Sequence, residues 1–441
     1  MAKTFQEWDV DQAWLLPPSV RELVPEGHVA HFVRDTVREV LDLSAILDTY
    51  VEERGYPPYH PAMMTAVLLY AYTQGVYSSR KVERACCERL DFMAVAAMAR
   101  PDHNTINAFR KRHLEALGNL FVQVLKLCQR AGMVQLGHVA LDGTKVKANA
   151  SKHKAMSYGR MREVEKALAA EVASWFARAD AADAEDERES ASGRHRAELP
   201  DWVKSKQQRL EKIRAAKAAL EAEAGRDEPD PPSGGGGGGG KRDRRTSGPS
   251  PGVLKESTQR NFTDPESRIL KTSDGFVQGY NCQAAVDAES QVIVARSLHA
   301  AQNDAPALMP LVRQVKQNTG RQMKELSADF GYLSLENLRG LERHRIRGYI
   351  ATGRQKHGRA HPTGRFRGTQ GNVIRQMKLR LSRAGHRSRY RLRKQTAEPV
   401  FGQVKEARGF RRFSLRGETQ VRAEWSLVCA AHNLLKLAGC G

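Results

Sequence analysis

The chain has 441 residues, 40% of them hydrophobic, enough to bury a core but too long for one ordinary domain. Its formal net charge of +21 points to a polyanionic partner, nucleic acid before an anionic membrane surface. No apolar run is long enough to span a bilayer, and the opening MAKTFQEWDVDQAW lacks the apolar centre of a secretory signal, so a cytoplasmic protein with no membrane partner is expected.

Six cysteines (Cys86, Cys87, Cys128, Cys282, Cys429 and Cys440) include no C-x-x-C pair and no histidine cluster at zinc spacing. Reduced thiols are the simple reading. The charge is concentrated at one end. Residues 341–441 hold 24 Lys+Arg against 5 Asp+Glu, a local net of +19, interleaved with apolar pairs such as Leu427 and Val428 that mark a folded segment.

Residues 1 to about 135 read as a helical domain. HPAMMTAVLLYAYTQGV (60–76) has helical length, with Pro61 suited to the first turn. Residues 78–98 suggest two short helices, and 101–132 carry helical periodicity from Pro101-Asp102 to Gly132. Short helices, a Pro/Asp turn and a helix opening with Asn104, Thr105 and Asn107 fit a helix-turn-helix unit. Arg110, Lys111 and Arg112 are then candidates for DNA phosphate contact. The plainer alternative is a helical bundle with basic surface residues.

At 138–148 the period changes to that of a short strand, which Asp142-Gly143 is expected to end. Residues 155–260 read as an insertion: two Ala/Glu/Lys-rich helical stretches, 161–189 and 199–224, suit a coiled-coil-like antiparallel pair. PDPPSGGGGGGGKRDRRTSGPSPG (229–252) cannot build a core and reads as a flexible linker. No Gly-Lys-Ser/Thr follows the glycines, so a phosphate cradle is not indicated.

Two strands joined at Asp287-Ala-Glu-Ser are predicted over 276–300, then a helix over 303–320 capped by Asn303 or Asp304. KELSADFGY (324–332) is a strand ending in an acid, and a helix follows over 334–344. The order strand, insertion, strand, strand, helix, strand, helix predicts an α/β ribonuclease-H-like catalytic core. This domain would comprise 136–154 plus 261–441, with the all-helical DNA-binding domain before it. TAEPVFGQVKEARGFRRF (396–413) reads as a helix and turn, and 424–439 as a closing apolar helix.

Cutting or joining a DNA backbone requires the attacking and leaving oxygens to be stabilised together. Two divalent cations about 3.5–4 Å apart achieve this and need carboxylates from converging elements. Asp142 and Asp329 stand at strand ends that this topology places side by side. Glu398 lies early on a later helix, and Lys405, two turns on, faces the same way and could hold a phosphate. Asp287, Asp304 and Glu336 are assigned to a turn, a cap and a helix surface.

The segments LDGTKVKANASKHKAMSYGRM, FTDPESRILKT, QGYNCQAAVD, SADFGY and AEPVFGQVKEARGFRRFSLRG resemble the DDE transposases of bacterial insertion sequences. They are most similar to the subgroup with an N-terminal helical domain and a helical insertion after the first Asp. The likeness runs from about residue 15 to 438. It implies binding to the terminal inverted repeats of a mobile element, Mg²⁺-dependent cleavage at its ends, and joining of the 3′ ends to target DNA. Carried over, the metal-binding acids fall on Asp142, on Asp329 within Asp-x-Gly-Tyr, and on Glu398, with Lys405 as the lysine partner. Two Mg²⁺ ions, replaceable by Mn²⁺, are implied. So are a homo-oligomer on double-stranded DNA and a nucleoid-associated bacterial setting. The family's Tyr-x-x-Arg-x-x-x-Glu pattern puts Arg391 and Lys394 in the Tyr and Arg slots, with Tyr390 one residue off. Lys394, Lys405, Arg411 and Arg412 are the candidate contacts to the DNA backbone. Two alternatives stay open at this point: a non-catalytic DNA-binding protein or repressor derived from such an element, and a structure-specific nuclease on the same fold.

Overall fold

The computed structural model describes residues 19–51, 57–189, 201–226, 254–272, 275–353, 369–383 and 390–439. The seven-glycine run and its flanks lie outside them, as does the polar connection within the insertion.

Among the described residues, seven α-helices form the N-terminal region: α1 (Val29–Glu39), α2 (Ser44–Leu47), α3 (Pro61–Thr73), α4 (Ser79–Glu88), α5 (Leu90–Val95), α6 (His103–Arg112) and α7 (Leu114–Arg130). Pro61 occupies the first turn of α3, where no N–H is needed, and His60 Nδ1 accepts from Ala62 N at 3.2 Å. α3 is apolar on nearly every face and is buried on nearly every face. Asp102 caps α6, accepting from Asn104 N at 2.8 Å and Thr105 N at 3.1 Å. The single helix expected over 101–132 is two. His113 leaves the helical region (φ −106°, ψ 26°) and buries its ring against Phe109 and Tyr50.

Eight strands follow among the described residues: β1 (His138–Lys147), β2 (Ala155–Ser157), β3 (Gln259–Asn261), β4 (Arg268–Thr272), β5 (Gly275–Asp287), β6 (Ile293–His299), β7 (Glu325–Ala328) and β8 (Arg347–Ile350). The main sheet runs β4-β5-β1-β7-β8, with β6 beside the second half of β5. β1 pairs antiparallel with β5 and parallel with β7, and β7 pairs parallel with β8. An antiparallel meander thus turns into a parallel half through helical crossovers. α10 (Leu308–Thr319) links β6 to β7, and α11 (Leu335–Arg343) links β7 to β8. This mixed sheet with its N-terminal helices is a ribonuclease-H-like α/β arrangement.

The insertion leaves and re-enters the core through the β2–β3 ladder. Its helices, α8 (Tyr158–Glu189) and α9 (Asp201–Arg226), are antiparallel partners with a small core of their own around Met161, Leu168, Ile213 and Leu220. Glu165 holds Lys217 at 2.7 Å and Arg214 at 3.1 Å across the pair. Three further α-helices follow among the described residues: α12 (Thr369–Arg383), α13 (Leu392–Gly402) and α14 (Glu418–Ala438). α14 packs against α7, α3 and β6, so the N-terminal helices and the sheet share one continuous core. Trp425, fully buried in that seam, donates its indole N–H to Gln283 O at 3.2 Å.

Candidate active site

The strand bearing Asp142 does not end there. β1 continues to Lys147 because β5 pairs it along its whole length, to Lys147 opposite Gly279. Only the β7 side stops early, with Ala140 opposite Ser327 as the last pair. Asp142 and Asp329 each follow two residues later, where the ladder has opened. The gap exists because Asp329 turns the chain away from β1. Its Oδ1 accepts from Gly331 N at 2.9 Å and caps the short 3-10 turn Phe330–Tyr332.

Both carboxyls are costly to ionise. Burial pushes Asp142 up to about 6; Arg393 opposes this, while Asp329 and Glu398 add to it. Asp329 is also raised, by burial first and by the neighbouring Asp304 second, with Arg393 again opposing.

Glu398 comes from α13, immediately before Pro399. A proline inside a helix has no N–H to give the preceding turn. Here the freed Gln395 carbonyl accepts from Gln291 Nε2 at 2.9 Å instead. α13 then runs into a π-helical turn, Gln403–Ala407, which carries Lys405. Lys405 Nζ donates to Thr144 Oγ1 at 2.9 Å and to Lys145 O at 3.3 Å. Thr144 is two residues from Asp142, so both side chains leave the same face of β1.

The structure brings Asp142, Asp329, Glu398 and Lys405 to one end of the sheet. It also brings two residues that the sequence reading passed over. Arg393 lies between the acids, with Nη1 at 3.0 Å from Asp142 Oδ2 and Nη2 at 3.4 Å from Glu398 Oε1. The cation slot assigned to Lys394 is therefore corrected: Lys394 is exposed, while 14% of the Arg393 side chain is. Tyr390, one residue off in the family pattern, lies beside Arg393, its hydroxyl pKa raised by burial. The signal was present. Tyr390-x-x-Arg393 keeps the family spacing, and the extra residue falls between Arg393 and Glu398.

Asp304 is the second. It does not cap the helix; Asn303 Oδ1 does, accepting from Ala305 N at 3.2 Å. Asp304 Oδ1 accepts from Asn281 Nδ2 at 2.6 Å and Gln283 Nε2 at 2.7 Å, both on β5. A Cβ on Gly331 would come within 2.6 Å of Asp304 Oδ2 and 3.0 Å of Asp329 Oδ1, so the two carboxyls flank that glycine closely.

The basic candidates divide. Arg110 is corrected as a DNA contact: it is 3% exposed and donates to Tyr77 O at 3.0 Å and the Tyr72 hydroxyl at 3.4 Å. Its charge faces the fully buried Glu424. Lys111 is exposed; Arg112 donates to Thr49 O at 2.8 Å and lies over the Tyr50 ring. Arg411 pairs with Glu406, and Arg412 reaches Asn149 Oδ1 at 3.3 Å. Both are exposed on a segment that runs beside the end of β1, where Phe413 N donates to Lys147 O at 2.9 Å.

Hard carboxylate oxygens from two strands and a helix are the donor chemistry a divalent cation such as Mg²⁺ prefers. Among the described residues, no three acidic, imidazole or thiol side chains are grouped as a ready metal shell. Arg393 stands between two of the acids and meets their charge in its place.

Residues 18–112 match a family described as Transposase domain (DUF772), and residues 351–438 match one described as Transposase DDE domain. Glu398, Arg393 and Lys405 fall within the second span, while Asp142 and Asp329 lie outside both. No curated protein and no solved structure compared with the chain gives a match. The DDE family typically uses divalent metals and implies DNA as partner. Two separate stretches are thus similar to transposase domains, one within the N-terminal helices and one at the C-terminal end.

Proposed function

We propose that this protein is the transposase of an insertion sequence. It binds the terminal inverted repeats, hydrolyses the backbone at each end and joins the freed 3′ ends to target DNA. The observation that carries the reading is Arg393 bridging Asp142 and Glu398, beside Asp329, in a chain with a DDE domain. Acids from distant segments gathered around one compensating cation suit a site built to hold positive charge.

Asp142 and Asp329 would hold two Mg²⁺ ions, with Glu398 completing one site, and Mn²⁺ would substitute. The metals supply activation of the attacking oxygen and stabilisation of the leaving one. The protein's own residues do the positioning. β1 presents Asp142, the turn that follows β7 presents Asp329, and Lys405, braced on Thr144, meets a phosphate at the rim. Lys394, Arg411 and Arg412, with Lys111 and Arg112 on the helical domain, grip the DNA backbone. The protein acts as a homo-oligomer on DNA, with residues 1–135 as DNA-binding domain and 136–154 plus 261–441 as catalytic domain.

The test is end cleavage and strand transfer with the element's own inverted repeats in Mg²⁺. Asp142→Ala, Asp329→Ala and Glu398→Ala should each abolish both steps while leaving end binding. Full activity in any one removes that residue from the site. Cleavage without joining in the wild type would instead identify a nuclease.

A further inference from the structure

Arg393 stands where a cation is wanted. Its guanidinium spans carboxylates on β1 and α13, at 3.0 and 3.4 Å, and is itself largely buried. It also counters the charge of Asp329. A guanidinium and a divalent ion cannot both take these oxygens, since they compete for the same lone pairs and repel at contact distance. The planar fork that fits a carboxylate fits a phosphate equally well. Lys394, next in the chain, is exposed.

Resting on the transposase reading, we propose that Arg393 is an internal counterion that keeps divalent metal out of the acids until DNA arrives. A DNA phosphate draws the guanidinium off Asp142 and Glu398 and exposes their oxygens. DNA and metal then bind with positive coupling, so cutting chemistry is withheld from the DNA-free protein.

The experiment measures Mn²⁺ binding to the full chain by electron paramagnetic resonance, with and without a short mixed-sequence duplex, taking duplex alone as the baseline. Without DNA, Arg393→Gln should bind Mn²⁺ at least about tenfold more tightly than wild type, the scale of removing a full charge at contact distance. The duplex should tighten binding by wild type and change Arg393→Gln little. By reciprocity, Mn²⁺ should raise the DNA affinity of wild type more than that of the variant. Equal or weaker Mn²⁺ binding by Arg393→Gln without DNA overturns the proposal. Asp142→Asn, assayed with DNA, separates this from the reading beneath it. If it binds Mn²⁺ as wild type does, the acids are not the metal site and the functional reading itself fails. Should Arg393→Gln not fold, Arg393→Lys keeps the charge but cannot span both carboxylates. It should still bind Mn²⁺ more tightly than wild type without DNA, and no gain there overturns the proposal equally.

Discussion

Asp142 and Asp329 each lie two residues beyond the last β1–β7 pair, Ala140 with Ser327, and the charge of Asp329 is felt at Asp142. The parallel ladder opens just before these two acids. The chemistry proposed above depends on this opening, and so does the electrostatic cost of holding the acids together.

Burial of Asp142, with the neighbouring acids adding to it, sets a pH dependence. The carboxyl of Asp142 is raised to about 6 in the folded protein. A raised acid favours folding while protonated, so its contribution is fully present below the unfolded value and is lost as pH rises through about 6. Without metal, wild type should lose up to roughly 3 kcal/mol of stability between pH 4 and pH 7 from this group. Asp142→Asn should lose that part of the slope. Denaturant unfolding of both proteins across this range, in chelator, checks it; parallel curves would refute the assignment.

Gly331 and Asp304 should be energetically coupled. A Cβ at Gly331 would lie 2.6 Å from Asp304 Oδ2, so Gly331→Ala must push that carboxyl or the turn aside. A cost of about 1–3 kcal/mol is expected, as for other overpacked sites. Asp304→Ala removes the obstacle, and the double variant should recover at least about 0.5 kcal/mol relative to the sum of the singles. Additive effects in thermal melts would mean the two groups do not meet.

Arg110 and Arg412 should behave oppositely. Glu424 is fully buried, accepts from Ser414 N and Leu415 N at 3.0 Å, and relies on Arg110 for nearby countercharge. Arg110→Met should therefore destabilise the fold by about 3–5 kcal/mol, because it strands a buried acid. Its folded fraction should keep the wild-type salt dependence of DNA binding. Arg412→Ala should barely change stability but reduce the slope of log K against log salt by about 0.9, one phosphate contact. A reduced slope in Arg110→Met would return that residue to the DNA surface.

Lys405 should matter through its amine and Thr144 through its hydroxyl. Lys405→Met should lower cleavage at least about tenfold, the loss of one charge-assisted contact at a phosphate. Thr144→Val, which leaves Lys405 in place but unbraced at the 2.9 Å contact, should lower it less. Single-turnover cleavage on saturating DNA separates the two; equal losses would show that Thr144 acts independently of the lysine.

Much of this molecule is legible in the chain. Apolar periodicity marks α3 and α7, Pro61 and Asp102 announce helix starts, and Asp287 marks the β5–β6 turn, because these signals act within a few residues. Strand order follows from the alternation of elements, since crossover connections leave few ways to arrange them. The local motifs around Asp142 and Asp329, and the excess positive charge, already carry the resemblance to transposases in the chain itself.

The tertiary structure decided matters of partnership. Arg110 and Arg112 are two residues apart on one basic stretch, yet one is buried opposite Glu424 and the other lies over Tyr50 at the surface. Composition cannot separate them, because burial depends on what α14 brings from more than three hundred residues away. Asp304 escaped for the same reason, and Arg393 carries only its spacing from Tyr390 as a signal in the chain. Each is a charged side chain whose meaning comes from an oxygen or amide on a different element. Sequence alone determined which acids could serve; the folded sheet decided which cation stands among them.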